Sequence, residues 1–295
     1  MGELKELQVV AVRYWGSRPS DEMELDAYEK TGVYSAAEVP FEVVMPEFPE
    51  EKRSEEEAEN LGEIGSLIAE EVAAARREGK GVLMAGGNCA NTTGVVGGLQ
   101  EAHGSGTRIG LVWFDAHGDF NTPGTTLSGM LGGMPVAVCA GLAFPGWREG
   151  SRMAVPLPTE RIILVDVRNL DPPEEQLIEA TDVTVARVAP GFRGEDLATA
   201  VAELAERCDL IYLHIDADVL DGSLVPNHVT VESNGPNMEQ VQAAVDTVMA
   251  TGKVAAFAVV SVFGEGKGGE TSLASGVEVI RGGLKSWRRH GMPGC

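Results

Sequence analysis

The chain has 295 residues, 43% of them hydrophobic, and a formal net charge of −22. That apolar share can build a sizeable core and excludes a disordered chain. A surface this acidic repels phosphate backbones and anionic lipid headgroups, so neither nucleic acid nor a membrane is expected as a partner, and the charge itself reads as solubilising.

The opening stretch, MGELKELQVVAVRYWG, lacks a basic segment followed by a long apolar one. It does not read as a signal peptide. No run approaches the roughly 18 apolar residues of a membrane span, so a cytoplasmic protein is expected. In chain order, residues 7–13 read as a strand and residues 18–53, rich in Glu and Pro with little periodicity, as a surface excursion. A helix follows at 55–78, then strands at 82–85, 109–114 and 162–167. A Pro/Gly turn at 190–194 leads into a helix at 194–208, a strand at 210–215, a helix at 238–252 and a strand at 255–262. The tail, SWRRHGMPGC, reads as a helix end and a frayed terminus. Most strand runs are continuously apolar rather than alternating, as in strands buried on both faces. Their alternation with helices predicts one α/β domain over residues 1–295 with a mainly parallel sheet. Cys89, Cys139, Cys208 and Cys295 form no CxxC pair and suggest no disulfide framework.

Ligands of an open parallel sheet bind where the C-terminal ends of strands meet loops. Two strand runs end in clusters of potential ligands: Asp115, His117 and Asp119 in one, Asp216 and Asp218 in the other, with Asp221 just beyond. Residues two apart in an extended chain share a face, so each cluster can converge. Carboxylates gathered at one sheet edge repel one another without a counter-charge. Divalent cations supply it, and carboxylates with one imidazole suit a hard or borderline ion such as Mn²⁺. A single Asp after a strand would read as a turn or cap residue; the two clusters together point to metal. His214, two residues before Asp216, reads as a hydrogen-bonded core neighbour rather than a ligand. His103, His228 and His290 carry no pattern and receive no role.

Three motifs in order, Gly86-Gly87-Asn88-Cys89-Ala90, Asp115-Ala-His117-Gly-Asp119 and Asp216-Ala-Asp218-Val-Leu-Asp221, resemble those of the arginase and agmatinase family, the ureohydrolases. The resemblance runs over residues 82–262. It implies a three-layer α/β/α sandwich around an eight-stranded, mostly parallel sheet, a pair of manganese ions, and a homo-oligomer, trimeric or hexameric. Under the resemblance, Asp115 and Asp216 bridge the ions, Asp119 and Cys89 complete the first site, and His117 and Asp218 complete the second. Asp221 stands behind them. Asn121, Thr126 and Ser128 match residues that hold a substrate α-carboxylate. Asp171, in Arg168-Asn169-Leu170-Asp171-Pro172, matches an acceptor for the α-amino group. Read without the resemblance, residues 121–126 also suit a plain turn with a helix cap. Both anchors imply an α-amino acid substrate rather than a decarboxylated amine. The reaction implied is hydrolysis of a linear guanidino or amidino C–N bond.

Three positions depart from the family pattern. Cys89 replaces the usual metal-binding His; a thiolate ligand shifts preference toward Zn²⁺, Fe²⁺ or Co²⁺, and a small buried cysteine outside the metal shell is the other reading. Gly132 replaces the His often assigned as proton shuttle, which leaves leaving-group protonation to Asp119 or water, or to a substrate that needs it less. Ser261 stands where a Glu pairs with the substrate guanidinium, and a neutral hydroxyl cannot supply that charge-assisted bond; Glu265 and Glu270, on the loop that follows, are candidate replacements. The first two departures resemble the Nω-hydroxy-L-arginine hydrolases of D-cycloserine biosynthesis, which would give ornithine and hydroxyurea; L-arginine would give ornithine and urea. Ser261 departs from that subgroup as well. Two alternatives stay open: hydrolysis of another amidine or amide of an amino acid, and a metal-binding protein that has lost catalysis.

Overall fold

The computed structural model describes residues 2–20 and 25–294. Met1, residues 21–24 and Cys295, which fall in the opening stretch, the excursion and the tail, lie outside them. Strand β1 (Leu7–Val12) precedes a small hairpin of β2 (Tyr14–Trp15) and β3 (Arg18–Pro19). Then come α1 (Leu25–Thr31), β4 (Phe41–Val44), α2 (Glu57–Arg77), β5 (Gly81–Gly86), α3 (Thr92–His103) and β6 (Ile109–Phe114). Two short helices, α4 (Pro135–Cys139) and α5 (Pro145–Gly150), lead to β7 (Ile162–Val165), α6 (Pro172–Glu179), β8 (Thr184–Arg187) and β9 (Glu195–Asp196). The chain closes with α7 (Leu197–Arg207), β10 (Leu210–Asp216), α8 (Met238–Met249), β11 (Val254–Val260) and α9 (Gly269–His290).

The main sheet runs β4-β1-β5-β11-β10-β6-β7-β8-β9, and every neighbouring pair in it is parallel. Among the described residues it has nine strands rather than the expected eight. The two-residue β9 lies in the segment expected to open a helix. There the Asp196 carboxylate accepts from Thr199 N–H at 3.2 Å, so the helix begins only at Leu197.

Period two along the central strands sorts side chains into two cores. Leu213 and Ile215 of β10 and Phe257 and Val259 of β11 pack on one face with residues of α7, α8 and α9. Tyr212 of β10 and Ala256, Ala258 and Val260 of β11 pack on the other with residues of α2, α3, α4 and α5. These are the three layers.

Two expectations need correction. The excursion contributes core residues (Leu25, Tyr28, Val33, Tyr34 and Ala37) and edge strand β4, which pairs with β1. The tail is not frayed: Gly291, at φ 76°, turns the chain so that Met292 is buried and bridges Gly2. No helix among the described residues is long and apolar enough to cross a membrane.

The topology locates the site. After β5 the chain skips two positions to form β6, and β11 and β10 later fill the gap. The C-terminal ends of β5, β11, β10 and β6 therefore lie side by side at a switch point.

Candidate metal centre

Each of those four strands delivers a polar side chain. After β5, Gly86 and Gly87 adopt left-handed φ of 77° and 69°, and a Cβ on Gly87 would lie 2.4 Å from Asn91 Oδ1. Only glycine permits this turn, which sets Cys89 at the entrance to α3. Asp115 follows β6, Asp216 ends β10, and Ser261 follows β11 with φ 60° and its N–H on Gly87 O at 3.0 Å.

The side chains converge. Cys89 Sγ donates to Asp216 Oδ2 at 3.0 Å and lies 3.5 Å from Asp115 Oδ2. His117 Nδ1 lies 3.0 Å from Asp218 Oδ2 and 3.3 Å from Asp115 Oδ1. Backbone N–H groups fix the carboxylates: His117 N donates to Asp115 Oδ1 at 2.7 Å, Ala116 N to Asp218 Oδ1 at 3.1 Å, and Asp218 N to Asp216 Oδ1 at 2.9 Å. Three sets of donor atoms each fall within 4.8 Å of one another: Cys89 with Asp115 and Asp216; Asp115 with His117 and Asp218; Asp216 with Asp218 and His228. Asp119 belongs to none of these sets. It is buried beside them in a left-handed turn at φ 47°, its carbonyl accepting from Val136 N at 3.0 Å.

The electrostatics are those of a site built around positive charge. Burial, then the neighbouring Asp218, pushes the Asp115 carboxyl well above its usual range. Burial and Asp115 do the same to Asp119. Burial and the charges of Asp216, Asp119 and Asp115 push the Cys89 thiol up. Burial works against His117 protonation, but bonds to Asp115 and Asp218 outweigh it and raise its pKa to about 12. A proton on His117 thus partly stands in for a cation. Buried carboxylates with a thiol and imidazoles within one coordination radius fit a pair of divalent ions.

Around this centre stands a collar of loops. Arg168 ion-pairs with Asp166 and donates to the carbonyls of Asp218 and Val219 at 2.9 and 3.1 Å, pinning the loop after β10. Buried Glu174 of α6 accepts from Phe120 N at 2.9 Å and Asp171 N at 3.2 Å, tying the loop after β6 to that helix. Asn121 Nδ2 and Leu127 N donate to Asp171 Oδ2 at 3.2 and 2.9 Å, and Thr126 Oγ1 lies 3.4 Å from Ser128 Oγ. The four residues matched to amino-acid anchors therefore share one loop cluster.

Several placements differ from the sequence expectation. The Ser261 hydroxyl, expected to face substrate, is 1% exposed and donates to Asp216 Oδ2 at 2.6 Å. The Asp221 carboxylate turns to Ser223 of its own loop, accepting at 3.1 Å from N and 2.6 Å from Oγ. Glu265 and Glu270 are exposed. His214 is the expected core neighbour: it stacks on Trp113 with centroids 3.8 Å apart, its Nε2 3.4 Å from Cys89 Sγ. Sequence reasoning missed His228 and Glu232. Glu232 reaches His117 Nε2 at 3.3 Å and accepts from Asn169 Nδ2 at 2.8 Å. Both lie on the loop after β10, where the strand-end rule could have directed a search.

Comparison with known proteins agrees with this picture. The chain is similar to arginase from Bacillus caldovelox (29% identity over 169 residues, 56% of each chain) and from Coccidioides immitis (24% over 277 residues, 90% of this chain and 83% of the other). The match spans only 56% of the Bacillus caldovelox arginase and 58% of the Neurospora crassa one. In fold it resembles arginase from Bacillus subtilis (TM-score 0.79, 19% identity, 95% of this chain and 98% of that one). It also resembles formimidoylglutamase from the same species (TM-score 0.71, 15% identity, 97% and 88%). The arginase family model matches residues 11–281, nearly the whole chain. The chain belongs to the arginase family.

Proposed function

We propose that this protein is a binuclear-metal hydrolase of a linear C–N bond on an α-amino acid, with Nω-hydroxy-L-arginine as substrate ahead of L-arginine. The observation that carries the reading is the convergence of Cys89, Asp115, His117, Asp216 and Asp218 at the ends of β5, β6 and β10, beside the cluster of Asn121, Thr126, Ser128 and Asp171. Asp115, Asp216, Asp119, Cys89, His117 and Asp218 would hold the ions. When bound, two divalent cations supply Lewis acidity and a water whose pKa is low enough for attack near neutral pH.

This chain's side chains do the rest. The Asn121 amide and the Thr126 and Ser128 hydroxyls would donate to the α-carboxylate. The second oxygen of Asp171 would accept from the α-ammonium. Held at that end, the substrate's ω-carbon is aimed at the strand ends. Water oxygen would bond to this carbon as the bond from carbon to Nδ breaks; Asp119 would carry one of the water's protons to Nδ, and the other would stay on the hydroxyurea. The products are ornithine and hydroxyurea. Ser261 offers a hydroxyl bonded to Asp216 in place of a carboxylate, and Gly132 offers no side chain. Both features suit a hydroxyguanidine, which is less basic than a guanidine and needs neither a charged partner nor a shuttle.

The test is a substrate panel with Mn²⁺-, Zn²⁺- and Co²⁺-loaded protein, read by mass spectrometry for ornithine. The expected result is hydroxyarginine turnover at least about tenfold more efficient than that of arginine, a difference of roughly 1.4 kcal/mol at the transition state. Ser261 is committed to Asp216, which favours a second reading: an amidine or amide of another amino acid. Turnover of such a compound alone would select it. A loaded protein that turns over nothing would point to a metal-binding protein without catalysis.

A further inference from the structure

We infer that His228 is a metal ligand: a second imidazole, through Nε2, for the cation that Asp216 and Asp218 share. The inference rests on the metal reading of the cluster and adds a donor to the set given above.

The geometry carries it. His228 sits on the loop between β10 and α8, yet it is only 6% exposed. Its ring packs edge-on against Phe263, with centroids 5.4 Å apart. Nε2 is buried and has no hydrogen-bond partner among the described residues, although it lies 3.4 Å from Asp216 Oδ1. An orphaned ring nitrogen in a cluster of carboxylates is a costly arrangement unless something else engages it.

The other ring nitrogen is anchored on Thr230. His228 Nδ1 lies 3.0 Å from Thr230 O. Metal-bound histidines commonly donate the remote N–H to a carbonyl in this way, which leaves the facing lone pair free. Thr230 N also donates to Nδ1 at 3.1 Å, and Thr230 Oγ1 lies 3.0 Å from it. A cation at Nε2 requires the first arrangement, with the Nδ1 proton on the Thr230 carbonyl. Thr230 Oγ1 also reaches Asp218 Oδ2, at 3.0 Å, so one short loop holds both the imidazole and the aspartate.

The spacing agrees. Two donors each about 2.1 Å from one cation lie about 3.0–3.4 Å apart in octahedral or tetrahedral geometry. The observed 3.4 Å falls in that range, and the Asp216, Asp218 and His228 donor atoms all lie within 4.8 Å of one another. A second nitrogen donor beside the Cys89 sulfur makes the centre softer than carboxylates with one imidazole, and so favours Zn²⁺ or Co²⁺ over Mn²⁺.

The test compares the full chain with His228→Asn, which keeps an N–H for the Thr230 carbonyl but offers no donor at the Nε2 position. Metal-stripped proteins are titrated with Co²⁺ by calorimetry and visible absorption. The unmutated protein should take two ions. In His228→Asn one of the two should bind more than about 100-fold more weakly, beyond the roughly 10–100-fold that losing an outer partner costs, and the Co²⁺ bands should shift. Paramagnetic NMR of the unmutated Co²⁺ protein covers the case of a variant that fails to fold. It should show two directly bound imidazoles, those of His117 and His228. Unchanged affinity and spectrum in the variant, or His117 alone as bound imidazole, overturns the inference while leaving the metal reading intact. An unmutated protein that takes no cation overturns both.

Discussion

At Cys89, local chemistry decides which ion the centre prefers. The thiol is buried, and with Asp216 and Asp115 beside it ionisation is unfavourable until a cation arrives. His214 prepares for that moment. Burial pushes its pKa down to about 3, so the ring is neutral. Tyr212 OH and Thr92 Oγ1 lie 2.9 and 3.1 Å from Nδ1; one hydroxyl donating there leaves the Nε2 proton facing the sulfur. A thiolate would thus have one donor already in place. Cys89→Ser is nearly isosteric but replaces a soft donor with a hard, poorly ionising one. We expect its Zn²⁺ affinity to fall by about 100-fold or more while Mn²⁺ affinity changes by less than about tenfold, as read from competition titrations. An unaltered Zn²⁺/Mn²⁺ ratio would place the sulfur outside the metal shell.

Among the elements, α3 shows why some of the fold could be read from sequence and some could not. Strands β1, β5, β6, β7, β10 and β11 were legible because each is buried on both faces and therefore continuously apolar. Edge strand β4 and strand β8 were not, because each has only four residues, FEVV and TVAR, and is too short and too partly buried to show a period. Helix α3 reads TTGVVGGLQEAH, and its glycines argue against a helix on propensity. Tertiary contact explains them: a Cβ on Gly94 would lie 2.6 Å from the Gly65 carbonyl of α2, and one on Gly98 2.6 Å from the Ala69 carbonyl. The aspartates were legible because strand ends announce them. His228 and Glu232 were not, because their loop has no period and only the folded chain brings it back to Asp216 and His117. Gly94→Ala separates the two effects at work in α3. Propensity alone would favour Ala by about 1 kcal/mol, whereas overpacking against backbone costs about 1–3 kcal/mol. Backbone cannot rotate aside as a side chain can, so a net loss of about 1–2 kcal/mol is expected, seen as a lower urea midpoint with an unchanged slope. A midpoint that rises would mean α2 and α3 can part without cost.

For the molecule as a whole, the clustered carboxylates make stability depend on pH with opposite signs in the stripped and loaded protein. Without metal, Asp115 and Asp119 hold their protons well above the ordinary carboxylate range, whereas the unfolded chain sheds them near pH 3.9. Their stabilising contribution is complete below that value and is lost as pH rises through the raised pKa values of the folded protein. His117 acts in the same direction. Its proton is held up to about pH 12 when folded, whereas the unfolded chain loses it near pH 6.5, so its contribution also declines above that point. Asp218 is the opposite case: burial opposes its ionisation, but His117 holds it below its usual value, so its contribution is already present at pH 5 and stays constant above. The net charge of −22 adds repulsion as the remaining protons leave. The melting temperature in EDTA should therefore fall from about pH 5 to pH 8. With cations bound the sign reverses, because protons compete with metal for Asp115, His117, Asp218 and Cys89, and affinity grows as they leave. Calorimetric scans across that range, with chelator and with excess Zn²⁺, should give diverging curves whose gap widens with pH. Parallel curves would show that metal and protons do not contend for the same atoms, and the carboxylate cluster would then need another explanation.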